Sequence, residues 1–490
     1  MKGPTFLANQ VMDGAAATVP CPPRFWWLKR LALAGGLLLL ALVGVYAWWA
    51  HEARRRFDAK VAEIVATGEP LYAADFEVEP IPDDQNAAVL LTRAVESLKE
   101  LPEGPSLATL LDRYDRTGRP PPATADLIER NAEALRLIRL ARGLRADWGE
   151  RPDPANVRAN WASLRSTIKL LEMIASHQRS RGADAAALET LLDAAACARS
   201  MAAAPTTMLA WLSAVSETRR LADAVERYVA PLGAPPDAER RAALTSLAGM
   251  LLEDRWMDEA RRNAMRFERA MIFSWILRAR DGTDHPPNRF DRMFSRPYML
   301  ADGALALDYM TAFVRSGDAP SPQTGDRISP AFPTFSNNLQ RNAHLLSAII
   351  LPSYRGMLLN AWREQTRCRL AGLALAIRLF ELEHARRPER LDELTPECIP
   401  ALPLDPFAAG EAPLLYSPAA PARVYSVGEN GVDDGGLDGA APGGRVGDDI
   451  VFYLDGRPAP STQVSRPQPS TQGNRQQAVV DDREEVGGGG

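Results

Sequence analysis

Histidine and cysteine are scarce here and badly spaced for chemistry. The five histidines, His51, His177, His285, His344 and His384, form no HExxH, HxH or other ligating pattern. The four cysteines, Cys21, Cys197, Cys368 and Cys398, contain no CxxC pair, which removes the usual thiolate zinc motifs. A GxSxG elbow, a P-loop and a GxGxxG turn are missing as well. A basic surplus is also lacking: 57 Lys and Arg stand against 62 Asp and Glu, a net charge of −5. Nucleic acid is therefore not an expected partner, because neutralising phosphates takes a Lys/Arg-rich face. Carboxylates are plentiful, but an acid–base pair must meet in space, which linear spacing does not show. The expectation from these absences is a non-enzymatic protein. Among Cys197, Cys368 and Cys398 at most one disulfide can form; Cys368–Cys398 is the pair to test, against the alternative of buried free thiols.

What the chain does contain is apolar residues (46%) in clear periods, enough for a core across 490 residues, a length that suggests roughly three units. The longest uncharged run is "LALAGGLLLLALVGVYAWWA", residues 31–50. As a helix it spans about 30 Å, the thickness of a hydrocarbon core. Trp26, Trp27, Trp48 and Trp49 bracket it at the positions of interfacial aromatic belts. The competing reading is a cleaved signal peptide, but Trp48 fits poorly in a small-x-small cleavage site ending at Ala50. The expectation is a retained single-pass anchor in a bacterial inner membrane. Residues 1–30 then form a cytoplasmic leader and the bulk of the chain is periplasmic, since long domains translocate largely regardless of charge.

Residues 51–360 read as an irregular helical bundle or array. Asp83 and Asp84 offer a helix start. Leu164, Ile168, Leu171 and Ala175 make one apolar stripe, and Leu244, Leu247, Leu251 and Leu252 another. The hairpin around Gly182 resembles a single tetratricopeptide-like unit, but no repeat period follows, so an ordinary helical core is expected. In the charged stretch 253–281, Asp258 and Arg262 stand at i, i+4, with Phe267, Met271 and Trp275 expected inward. Residues 282–335 are loop-rich, either a lid over a cleft or a surface excursion.

The segment 361–455 changes character. Leu370, Leu373, Ile377 and Phe380 share a helical face that should end before Pro388, and "RLDELTPE" follows as a short helix. Three β-prone runs come next, at 413–417, 423–428 and 449–454, bounded by Gly, Pro and Asp. One helix against a short antiparallel sheet buries both apolar faces, an α+β module. The tail from 456 to 490 is Pro-, Ser-, Gln- and Gly-rich and expected to be disordered. The whole is a mainly α chain with one transmembrane helix.

The ordered pieces "LEHARRPERLDEL", "LPLDPF", "YSVGENG" and "DDI" resemble the C-terminal part of the major pseudopilin of type II secretion systems. The resemblance implies an envelope location, protein partners in a secretion or pilus-like assembly, and a loop that binds Ca²⁺. Its loop-site residues fall on Ser426, Asn430 and Asp449, with Asp448 adjacent; Asn430 stands where the family usually has Asp, and Asp433 and Asp434 are positioned to compensate. The residues alone allow the same ion, since Ca²⁺ takes six to eight hard oxygens and glycines let carbonyls turn towards one point. They equally allow an Asx/Gly turn with no metal. The family's processed N-terminus is not matched ahead of Leu31, and residues 51–360 separate the anchor from this unit, so a polymerising filament subunit is not expected.

Overall fold

The computed structural model describes residues 25–153, 161–229, 237–281, 289–328, 344, 347, 354–439 and 447–456. The leader with Cys21, most of 329–353, residues 440–446 and the tail 457–490 lie outside them.

Helix α1, Trp26–Ala66, is 41 residues long, about 60 Å at 1.5 Å per residue. Its first half contains a stretch long and apolar enough to cross a membrane, exposed from Leu31 to Val45. Its second half turns Ala53, Phe57 and Ile64 into the core without a break in the helix. Phe57 stacks on Phe273 with ring centroids 6.1 Å apart.

The body consists of α2 (Ala87–Glu96), α3 (Leu107–Thr117), α4 (Thr124–Arg130), α5 (Ala132–Ala141), α6 (Trp161–Ser180), α7 (Asp184–Met201), α8 (Met208–Val229), α9 (Ala238–Leu252), α10 (Arg255–Asp281), α11 (Arg289–Gly317) and α12 (Pro322–Ile328). Helix α2 starts one turn later than its acidic pair suggests: Asn86, not Asp83 or Asp84, caps it, accepting from the Ala88 amide at 3.0 Å. The stripe Leu164–Ile168–Leu171–Ala175 is buried, as is Leu244–Leu247–Leu251. In α10, Phe267 is fully buried but Trp275 is 38% exposed. After Phe267 the inward face steps by threes through Ala270, Phe273 and Ile276, which rotates Trp275 to the outside. Asp258 pairs with Arg261 at 2.9 Å, one residue short of the expected Arg262.

The helix α13, Tyr354–His384, is shared. It packs on α8 and α9 on one side and on the sheet on the other. Leu370, Leu373, Ile377 and Phe380 are all buried, and one continuous apolar cluster runs from Ala53 to Leu454. A 3₁₀ turn at Leu391–Leu394 stands where the short helix was expected. Strands β1 (Leu415–Ser417), β2 (Arg423–Ser426) and β3 (Ile450–Tyr453) form an antiparallel sheet in the order β1-β2-β3. Two long-range ties hold it to the body: the Tyr453 amide donates to Glu226 at 3.1 Å, and Arg387 meets Asp455 at 2.7 Å. Cys197, Cys368 and Cys398 are buried free thiols. Burial pushes the Cys368 thiol up to about 12 and that of Cys398 to about 11, so neither is a reactive thiolate at neutral pH.

Candidate functional site

The glycine-rich loop leaves β2 at Ser426 and returns to β3 at Asp449. Gly428 opens it with φ of +64°, and a Cβ there would overlap the carbonyl oxygen of Asp448, so only glycine fits. Ser426 is fully buried; its hydroxyl donates to Asp405 Oδ1 at 2.8 Å and accepts from the Gly428 amide at 3.2 Å. Asp405 also accepts from the Val427 amide at 3.0 Å and from the Phe407 amide at 2.9 Å. This carboxylate, inside "LPLDPF" but not among the residues singled out by sequence, fastens the start of the loop to the segment before β1.

Asp449 plays the matching part at the other end. It is 4% exposed; its Oδ2 accepts from the amides of Gly436 at 2.7 Å and Leu437 at 3.2 Å, and its Oδ1 from Asp434 at 3.4 Å. Burial raises its pKa above the usual carboxylate value against the pull of those amides. Asp434 Oδ2 accepts from the Asp448 amide and from the Asn430 side chain, both at 3.0 Å, which holds its pKa low. Asn430 Oδ1 caps the Val432 amide at 2.9 Å, and Asp433 Oδ1 caps that of Gly435 at 2.8 Å. Asp448 is exposed on the rim. Glu429 forms an ion pair with Arg363, tying the loop to α13.

The structure thus brings Asn430, Asp433, Asp434 and Asp448 to the outer face of one loop and assigns Ser426 and Asp449 to bracing it. Among the described residues no three His, Cys, Asp or Glu side chains converge as a metal-binding group. A calcium ion at this loop would have to exchange amide hydrogen bonds for ion contacts, with Asp433, Asp434, Asp448 and the Asn430 amide oxygen as its accessible donors.

A second polar site lies between α6 and α8. A cleft of about 320 Å³ is lined by five cations, Arg165, Lys169, Arg219, Arg220 and Arg227, against three carboxylates, Glu172, Glu217 and Asp223. Glu172 and Glu217 are 3% and 1% exposed and form its floor. Arg220 lies between them, its Nε 3.3 Å from Glu172 and 3.7 Å from Glu217, and it also meets Asp115 of α3. Arg165 holds Glu217 at 2.8 Å and Arg227 holds Glu172 at 2.5 Å. Glu172 Oε2 and Glu217 Oε2 accept no hydrogen bond, although the Arg220 Nε lies nearest both. Burial raises the Glu172 pKa even with two guanidinium groups beside it. Burial and then the Glu172 carboxylate push the Tyr114 phenol, which donates to it at 3.3 Å, up to about 12.

Sequence reading passed over these two glutamates, yet it carries a signal. Glu172 follows Ile168 by four and Glu217 precedes Leu221 by four, so both occupy core-facing steps of an apolar stripe. Comparison of the chain with family models, with curated proteins and with solved structures finds no match in any of the three.

Proposed function

We propose that this is a membrane-anchored envelope protein with a non-enzymatic, partner-binding role, positioned beside a secretion or pilus-like assembly and carrying a calcium-responsive, pseudopilin-like C-terminal unit. The observation that carries the reading is the α6–α8 cleft. Its rim presents the guanidinium groups of Arg165, Arg219 and Arg227, each roughly half exposed, on two rigid helices. Its lining carries five cations and three carboxylates, while Asp115 and Glu364 pair from outside it with Lys169, Arg220 and Arg219. That surface suits an acidic segment of a partner protein, because guanidinium groups pair with carboxylates in bidentate geometry. The bacterial inner membrane and a periplasmic body belong to the same proposal, as does the calcium loop.

The test places a photo-crosslinking residue at the exposed Ser216 of the lining in the full-length chain and compares it with the same chain carrying Arg219→Glu, which leaves Glu172 and Glu217 their own cations. A discrete crosslinked protein, lost on charge reversal while the chain stays folded, supports the reading. A crosslink that survives reversal sinks it. For the loop, a ligand binding only the folded state at 100 times its dissociation constant adds about 2.7 kcal/mol. Calcium should therefore raise the melting temperature of the wild-type chain but not of Asp434→Ala with Asp448→Ala. Equal melting in calcium and in chelator removes the ion from the proposal.

A further inference from the structure

A cavity of about 730 Å³ lies where α1 leaves its apolar stretch and meets the end of α10 and the start of α11. Its lining mixes apolar and charged side chains: Tyr46, Ala50, Pro297 and Leu300 stand beside His51, Arg54, Arg280 and Arg296, with Asp58 and Asp281 among them. Ala50 closes the uncharged run and Arg54 follows one helical turn later, about 6 Å along the axis. The cavity therefore straddles the level at which hydrocarbon gives way to headgroups, if α1 spans a bilayer.

We propose that this cavity is a binding site for the headgroup of an anionic phospholipid. The proposal rests on the membrane reading of α1. The phosphate would lie against Arg54, Arg280 and Arg296, and the glycerol and upper acyl chain along Tyr46, Ala50, Pro297 and Leu300. The three arginines outnumber the two aspartates, which leaves an unbalanced positive charge for an anion. The ion pairs of Arg54 and Arg296 are weak competitors, whereas Arg280 is held to Asp281 by two hydrogen bonds, at 2.9 and 3.1 Å. Arg54 meets Asp58 at 3.5 Å with both side chains more than half exposed, and Arg296 stands 4.0 Å from Asp281. Exposed pairs of this kind are worth about 0–1 kcal/mol, whereas a bidentate guanidinium–phosphate contact is charge-assisted and geometrically matched. Arg296 already spends its Nε on the Arg280 carbonyl at 2.8 Å, which orients its two remaining nitrogens as a fork. Arg55 and Arg56 do not share this role: both are bound to Glu52, at 2.8 and 2.7 Å.

The experiment uses the full-length chain in detergent, titrated with short-chain phosphatidylglycerol, short-chain phosphatidylcholine or inorganic phosphate, with thermal unfolding as the readout. Wild type should be stabilised by phosphatidylglycerol alone. Arg54→Gln with Arg296→Gln should weaken that effect at least tenfold, while Arg390→Gln, a surface arginine far from the cavity, should leave it intact. A double variant that melts like wild type without lipid shows that the loss is not unfolding. Equal stabilisation by phosphatidylcholine, or by inorganic phosphate, overturns the proposal, as does an unchanged response in the double variant. A separate alkaline extraction from vesicles distinguishes the two layers of the argument. A chain that washes off the vesicles refutes the anchor, and one that stays but shows no lipid preference refutes this site alone.

Discussion

Replacing Asp405 with Ala isolates the brace that sets the loop. The substitution removes the acceptor of the Val427 amide, the Phe407 amide and the Ser426 hydroxyl, at 3.0, 2.9 and 2.8 Å. The carboxylate is 3% exposed and Val427, Phe407 and Ser426 are themselves buried, so water does not readily take its place. Leaving a buried donor unpaired costs about 1–3 kcal/mol, so three donors set a loss of at least about 3 kcal/mol. Ser426→Ala leaves Asp405 its two amides but takes the acceptor from the buried Gly428 amide; its expected cost is about 1–3 kcal/mol. Native-state hydrogen exchange on the full-length chain reads the difference locally, as the opening free energy of the amides at 407 and 424–428. The Asp405→Ala loss should be the same in calcium and in excess chelator, because the brace is made of protein donors alone. A loss below about 1 kcal/mol, or one that vanishes in chelator, would refute the reasoning; the second outcome would make Asp405 a metal ligand.

Two further predictions concern the α6–α8 cleft. Arg220→Met removes the cation shared by Glu172, Glu217 and Asp115 and should destabilise the chain by about 3–5 kcal/mol in urea unfolding, because two buried carboxylates lose a counter-charge; a loss within error of zero would show that Arg165 and Arg227 suffice. Glu172 has a folded pKa raised by burial above its usual 4.5. Its stabilising contribution is therefore present below that unfolded value and is lost as pH rises through the folded one. The stability of Glu172→Gln relative to wild type should accordingly improve between pH 4 and pH 7, and a change in the opposite direction would refute the assignment.

Most helices and strands were legible because their signals are local, but 282–335, expected to be loop-rich from its prolines, holds α11 (Arg289–Gly317), which runs through Pro297, and α12 (Pro322–Ile328). The four apolar residues of α13 fall on one face by spacing alone, and three short β-prone runs became three paired strands. Trp275 was misplaced because α10 is buried on more than one side, and a single i, i+4 stripe does not describe such a helix. The loop shows a different limit. Its Asp and Gly residues were visible, but whether an oxygen faces an ion or an amide depends on contacts such as Asp405 with Ser426, 21 residues apart. The cleft shows a third: a glutamate on an apolar stripe is visible in one helix, but its counter-charges come from another, as Arg227 of α8 does for Glu172 of α6.

Helix α1 passes from exposed apolar surface at Val45 to buried Phe57 with no intervening loop. A tether of n flexible residues lets its cargo wander by about 5–6 Å times the square root of n; here n is zero. In mechanical terms, if α1 spans a bilayer, the bilayer and the body share one lever: when the anchor tilts, the cleft swings through the same angle. A partner fixed in the same membrane then searches in azimuth and lateral position, not in three dimensions. Inserting a few glycines between Ala50 and Ala53 would break that lever while leaving every contact of the body in place.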